Sequence, residues 1–193
     1  MKHEITTLNT KKTIAASLKK FMERKPLSKI TVSEIVADCK VNRKTFYYHF
    51  DDIQSLLKWT LEQEAVEVVK NFDLLLDYED AINFVLDYVD ENRHILNCAY
   101  DSMGRDELKR FFYNDFYGIM KTIVTQLEEI LGIPVKEDFR NFICDFYTEA
   151  LAAKLIEIMR SRQPYDRKKL IGYITITLQA SLPEILKRAY KDL

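Results

Sequence analysis

Glycine and proline are scarce, at four each in 193 residues. Many-stranded folds need many tight turns, and tight turns draw on these two residues, so the scarcity points to a few long helices. Cysteine is also sparse. Cys39, Cys98 and Cys144 are odd in number, widely spaced and without a Cys-x-x-Cys pair. That argues against a disulfide framework and a thiolate zinc site, and fits a reducing compartment. No run of about 18 apolar residues occurs, so no span and no membrane partner are expected. The opening stretch MKHEITTLNTKK has no apolar centre of the kind a signal peptide carries. The expected location is the cytoplasm. The signatures GxSxG and HExxH, a glycine-rich phosphate loop and a convincing carboxylate pair are all missing, so no enzyme and no cofactor are expected. The three histidines, His3, His49 and His94, are scattered. His94 and Cys98 lie four apart on one helical face, but two ligands do not make a metal site and no third is near in sequence.

What is present is an ordinary globular composition, 47% hydrophobic and 31% charged. The charge is uneven. Residues 1–58 hold 12 Lys/Arg against 6 Asp/Glu, and residues 59–193 hold 17 against 24. A basic head on an acidic body suggests that only the head meets a polyanion.

Taken in order, residues 10–24 read as an amphipathic helix with Ile14, Ala15, Leu18, Phe21 and Met22 on one stripe and Asn9 or Thr10 as N-cap. Pro26 ends it, and Leu27 and Ile30 are expected to pack. Thr31 with Glu34 three residues on spells a capping box. The helix behind it is short, turns Ile35, Val36 and Ala37 inward and stops near Cys39. Val41 is expected to be buried. Asn42 caps a third helix in which Phe46 and Phe50, four apart, share the anchoring face. Asp51 or Asp52 caps a long fourth helix through Leu56, Leu57, Trp59, Leu61, Val66 and Val69 to about Phe72.

Further helices are expected over 79–91, 93–100, 105–131, 136–162 and 166–190, with breaks at Gly104 and at Gly132–Pro134 and a kink or break at Pro183. Tyr173 to Leu178 alternates like a strand, but a lone strand cannot satisfy its backbone, so helix is the reading there. The fold class is therefore all-α. The helix at 136–162 is apolar over most of its circumference and needs cover on two sides. That cover is either an internal core or a second copy, the latter placing Phe142, Phe146, Ala150, Ala153, Ile174 and Leu178 at a dimer interface. Of 23 aromatic residues, 14 fall between Phe72 and Tyr147. Such density suits a small-molecule pocket, with Tyr88, Tyr100, Phe112, Phe116, Phe146 and Tyr147 as its lining, or an ordinary core.

Residues 31–50, TVSEIVADCKVNRKTFYYHF, carry the chemistry. Two short helices with a tight break form a helix-turn-helix, at about residues 30–49. With Phe46 and Phe50 claimed by the core, Arg43, Lys44, Thr45, Tyr48 and His49 are left outward, and Tyr47 is shared between core and groove. Arg43 can take a guanine edge or a phosphate. Lys44 suits a phosphate or a base, and Thr45 offers a methyl and a hydroxyl. Thr31, Ser33 and Asn42 sit at helix starts, where backbone N–H groups hold phosphate. The expected partner is double-stranded DNA.

This stretch, with Thr45-Phe46-Tyr47-Tyr48-His49-Phe50 at its heart and Phe21 and Leu56-Leu57 flanking, resembles the DNA-binding segment of the TetR family of bacterial transcription regulators. The strong likeness covers about residues 8–60. The stretch FYTEALAAKLIEIM at 146–159 is similar to the branch with a Firmicutes-type C-terminal domain, near the dihydroxyacetone-kinase activators. The resemblance implies a DNA-binding domain at 7–67 and a ligand-binding and dimerisation domain at 68–193. It further implies a homodimeric, ligand-responsive repressor on a palindromic operator, with binding of an unknown small-molecule effector changing the separation of the two DNA heads. The alternative is a co-regulator or activator working through a metabolite or partner protein. Three positions depart from the family pattern. Lys40 stands where glycine is common, Lys44 where glycine or proline is, and Ile53 where a phosphate-touching lysine often starts the fourth helix. The last leaves Lys44, Lys29 and the N-terminal lysines to compensate.

Overall fold

Amphipathic stretches interrupted by few breakers give a chain that is helical nearly throughout. The computed structural model describes residues 2–71, 78–161, 163 and 165–192, with side chains for these except residues 2–5, 64–71 and 115. Among them are nine α-helices, one 3-10 turn and no strand. The helices are α1 (Lys2–Met22), α2 (Val32–Asp38), α3 (Arg43–His49), α4 (Ile53–Asn71), α5 (Tyr78–Glu91), α6 (Arg93–Met103), α7 (Arg105–Leu131), α8 (Glu137–Arg160) and α9 (Arg167–Asp192). The 3-10 turn, Leu27–Lys29, lies between α1 and α2. The strand-like stretch at Tyr173 is helical, its alternation overridden by the burial of Ile171, Thr175, Leu178 and Leu182 at helical spacing.

Several local expectations change. The first helix starts well before Asn9 and Thr10, which are therefore interior and not caps. The Thr10 and Thr13 hydroxyls donate to the Thr6 and Asn9 carbonyls one turn back, each at 2.9 Å. Ala37 is exposed, since it follows the inward pair Ile35 and Val36 onto another side of α2, and Val41, in the turn before α3, is only half-buried. Pro183 does not break α9. A proline removes one backbone donor, but Leu182 and Leu186, both fully buried, keep that part of the helix on the core. The expected end of α4 at Phe72 lies outside the described residues, and so do the side chains of Val66 and Val69.

The chain divides into two compact units. The first comprises Met1–Ala65 and Asn92–Leu108, and the second Val66–Glu91 and Lys109–Leu193. In the first, Ile14, Leu18, Met22, Ile35, Phe46, Leu56 and Leu57 are fully buried and form the centre of the head. Helix α6 packs on α1 and on the 3-10 turn. Its Cys98 Sγ accepts the Leu27 N–H at 3.2 Å, and Lys19 Nζ donates to Asn92 Oδ1 at 3.0 Å. In the second unit, Met120, Ile123, Val124, Ile143, Cys144, Tyr147, Leu178 and Leu182 form the main core. The turn from α7 to α8 is fixed by Glu128, whose carboxylate accepts the Val135 N–H at 2.8 Å and pairs with the Arg140 guanidinium at 2.6 and 2.9 Å.

Candidate nucleic-acid interface

Two seven-residue helices present the candidate surface, and neither is long enough to be stable by itself. Side-chain caps set their starts. At α2 the box is complete. Thr31 accepts the Glu34 N–H at 3.3 Å, and the Glu34 carboxylate accepts the Thr31 N–H at 3.0 Å and its hydroxyl at 2.9 Å. At α3, Asn42 Oδ1 accepts the Thr45 N–H at 2.7 Å and the Thr45 hydroxyl at 3.0 Å.

The turn between them follows a known helix stop. The Val41 N–H reaches back to the Val36 carbonyl at 3.1 Å across Lys40, which takes a left-handed φ of 55°. That position favours glycine, since a Cβ there crowds the following carbonyl. The departure noted at Lys40 therefore carries a small strain.

Phe46 has no solvent exposure and Phe50 very little, and the rings meet at 5.9 Å. Pinned by these rings, α3 turns Arg43, Lys44, Tyr47 and Tyr48 outward. Tyr48 is the most open, at 72% exposure. Tyr47 is half exposed and rests edge-on against Phe46, with ring centres 5.4 Å apart. His49 is half-buried and meets the Tyr48 ring edge-on at 4.9 Å. Burial, with the Lys11 charge adding, holds its imidazole below the usual value.

Arg43 Nη1 donates to Ser33 Oγ at 3.3 Å, which ties the start of α3 to the start of α2. Seven of the nine expected contact residues, Thr31, Ser33, Asn42, Arg43, Lys44, Tyr47 and Tyr48, are exposed on the head, and Thr45 and His49 are half-buried. Several besides Ser33 and Arg43 are partly engaged. The Thr31 hydroxyl and N–H are both held by Glu34, the Asn42 and Thr45 side chains hold one another, and His49 is half-buried. Around this face Lys20 pairs with Asp38 and Lys25 with Glu34, while Arg43 and Lys44 form no ion pair among the described residues. The Lys25 ammonium and Thr31 donors hold the Glu34 carboxyl below its ordinary value.

Comparison with known proteins places this arrangement. Residues 14–58 match bacterial regulatory proteins of the tetR family, and residues 77–180, more than half of the chain, match the transcriptional regulator C-terminal region. The chain belongs to the TetR family. It is a DNA-binding transcriptional regulator and not an enzyme.

Among its relatives is the HTH-type dhaKLM operon transcriptional activator DhaS of Lactococcus lactis subsp. lactis (strain IL1403). It is 24% identical over 144 residues, which are 75% of this chain and 76% of the relative. A solved structure of the dihydroxyacetone kinase operon activator DhaS superimposes with a TM-score of 0.72 at 23% identity, covering 92% of this chain and 97% of that one. Lin0861 from Listeria innocua aligns with a TM-score of 0.54 at 17% identity, over 91% and 92% of the two chains. At these identities the two structures show a shared TetR-like all-α fold.

The second unit holds a cavity of about 100 Å3 between α5, α7, α8 and α9. Its walls are apolar, with Ile82, Val85, Phe116, Ile123 and Leu155 among them, and Lys154 is the one charged residue. Of the six aromatic residues expected to line a pocket, only Phe116 does so. Phe146 is exposed, Phe112 is buried in packing, and Tyr147 is buried with its hydroxyl 2.5 Å from Ser181 Oγ. Tyr100 belongs to the first unit, and Tyr88 is half-buried away from the cavity wall. Aromatic density marked the core and surface of this unit, whereas the cavity walls are mainly aliphatic.

The expected dimer residues also separate. Phe142 and Phe146 are each 59% exposed and stack with ring centres 6.2 Å apart, and Ala150 continues their stripe outward. Ala153 is half-buried. Leu178 belongs to the core and Ile174 packs against it, so the outward face of α9 is carried by Tyr173 and Ile176 instead. The reason is phase: residues one or two positions away along a helix point to a different side. The His94 and Cys98 pair has no third ligand, and no group of three or more His, Cys, Asp or Glu is gathered for a metal among the described residues. Cys98 instead ties α6 to the Leu27 turn, 71 residues away in sequence. That separation left no local signal.

Proposed function

We propose that the chain is a homodimeric, effector-responsive regulator that reads a two-fold symmetric operator by laying α3 in the major groove. Arg43, Lys44, Tyr48 and His49 meet bases or phosphates, with Tyr47 and the Thr45 methyl at the groove edge. Ser33, Thr31 and Asn42 flank the backbone. The observation that carries the reading is Tyr48. A tyrosine on a helix already anchored by two phenylalanines, touching His49 edge-on and leaving most of its ring to solvent, contributes little to packing. The exposed Phe142 and Phe146 on α8, with Tyr173 and Ile176 on α9, are what a second copy would cover. The cavity in the same unit suits a small apolar effector, and a cytoplasmic location follows from the task.

Gel shifts of the full chain against duplexes from a random-site selection test this. Tight, salt-sensitive binding by a dimer is expected, and Arg43→Ala combined with Tyr48→Ala should abolish it with helicity unchanged. Binding that survives the double change removes α3 from the interface. Phe146→Glu should convert the dimer to monomer in sedimentation.

Repression is the proposed sign, since a dimer across two half-sites blocks a promoter without any further contact. A second reading is activation through a metabolite or partner protein. It is supported by the Lactococcus relative's name as an activator and by Ile53 beside the acidic Asp51 and Asp52. Deleting the gene in a reporter strain separates the two, with target transcription rising under repression and falling under activation.

A further inference from the structure

We infer that Lys11, on α1 and outside the helix-turn-helix, is a phosphate-gripping residue of the same interface. Its ammonium stands 5.5 Å from the ring centre of Phe50 and 5.5 Å from that of Trp59. Phe50 closes α3 and Trp59 lies on α4, so Lys11 sits at the corner where the proposed recognition helix ends. The two rings are themselves in contact, at 5.7 Å. They steady the side chain through its cationic head but do not neutralise it, because a ring face carries no net charge.

No carboxylate pairs with Lys11 among the described residues, whereas Lys20 and Lys25 are matched to Asp38 and Glu34. Lys11 is close enough to His49 for its charge to add to the effect of burial on that imidazole, and His49 touches Tyr48, the most open ring of α3. The corner also needs a cation. Asp51 and Asp52 are exposed there, Asp52 accepts the Ser55 N–H at 2.7 Å as the cap of α4, and Ile53 opens that helix without charge. A DNA backbone approaching this end of α3 would meet two carboxylates. Lys11 is a cation that the fold holds on the ring of Phe50, the residue that precedes them in the chain.

The inference rests on the reading that α3 meets DNA, and the test separates the two. The full chain and its Lys11→Met and Lys11→Arg variants are titrated by fluorescence anisotropy into a selected duplex, from 50 to 200 mM KCl. Methionine keeps the apolar stem over the rings. Loss of one phosphate contact should lower the slope of log affinity against log salt by about 0.9, which makes the salt effect over this range roughly threefold smaller. Arginine should restore the wild-type slope. An unchanged slope in Lys11→Met overturns the inference, and a parallel fall in affinity and melting temperature would then show a purely packing role. If the wild-type protein binds no duplex at 50 mM KCl, the DNA reading of α3 fails and the Lys11 contact with it.

Discussion

In the head, α2 and α3 have seven residues each, and each is placed by one capped N-terminus and one or two fully buried side chains. In the body, α7, α8 and α9 run for 24 to 27 residues, and the start of α8 has no side-chain cap at all. Long helices spread their attachment over many apolar contacts, so no single group decides where they lie. Short helices concentrate it. The surface proposed to meet DNA is therefore set by a handful of groups, and a change to one of them should be felt along the whole of α3.

The contrast can be broken or sharpened by substitution. The largest expected effect is Phe46→Ala. Emptying a fully buried phenylalanine site should cost about 4 kcal/mol in denaturant unfolding and abolish duplex binding. Retained binding would mean that α3 is held by more than its rings.

Glu128→Gln comes next and tests the contrast from the body side, because attachment at the α7–α8 turn is concentrated in one carboxylate. A loss of about 2 kcal/mol is expected, below the range for a fully buried pair because Arg140 is partly open to solvent. Burial pushes the Glu128 carboxyl up, but the Arg140 guanidinium and the Val135 N–H outweigh it and leave the folded value below the ordinary one. The sign follows from that depression. The contribution is full above the unfolded glutamate value of about 4.3 and is lost as pH falls through the lower folded value. Wild type and Glu128→Gln should therefore differ at pH 7 and converge as pH falls through that lower folded value.

A smaller effect is expected for Thr31→Ala, about 1 kcal/mol in thermal melts, from the loss of the α2 cap. The smallest is Lys40→Gly, which relieves a left-handed φ of 55° and should raise stability by about 0.5 kcal/mol after the added chain entropy of glycine is subtracted.

The same contrast explains what could be read from the residues alone. The head was legible almost to the atom at Thr31, Glu34, Asn42, Phe46 and Phe50, since caps and i to i+4 anchors act within one turn of chain. Helix existence was legible throughout. Surfaces in the body were not. Phe146 and Tyr147 are neighbours in sequence, yet one faces out and the other is buried, and which is which depends on where α7 and α9 press on α8. Leu178 shows the same dependence, as it looks like an interface residue from its apolar stripe and is a core residue by packing. The contacts of Cys98, and which of the N-terminal lysines the fold brings to α3, were beyond reach for a related reason. The partners, Leu27 for Cys98 and Phe50 and Trp59 for Lys11, are brought close only by the tertiary fold.

The hydrogen bond from Arg43 to Ser33 bears on how selective the head can be. A free arginine side chain samples many rotamers, and immobilising one at an interface costs about 0.5–1.5 kcal/mol. Here the guanidinium is already oriented by the neighbouring helix before any duplex arrives. Part of that ordering has been incurred on folding, where it is the same for every DNA sequence. At the proposed interface the energy of a well-aligned guanine pair then appears more fully as preference for the right site, and a mismatched base gains little from a guanidinium that is not free to search for another acceptor.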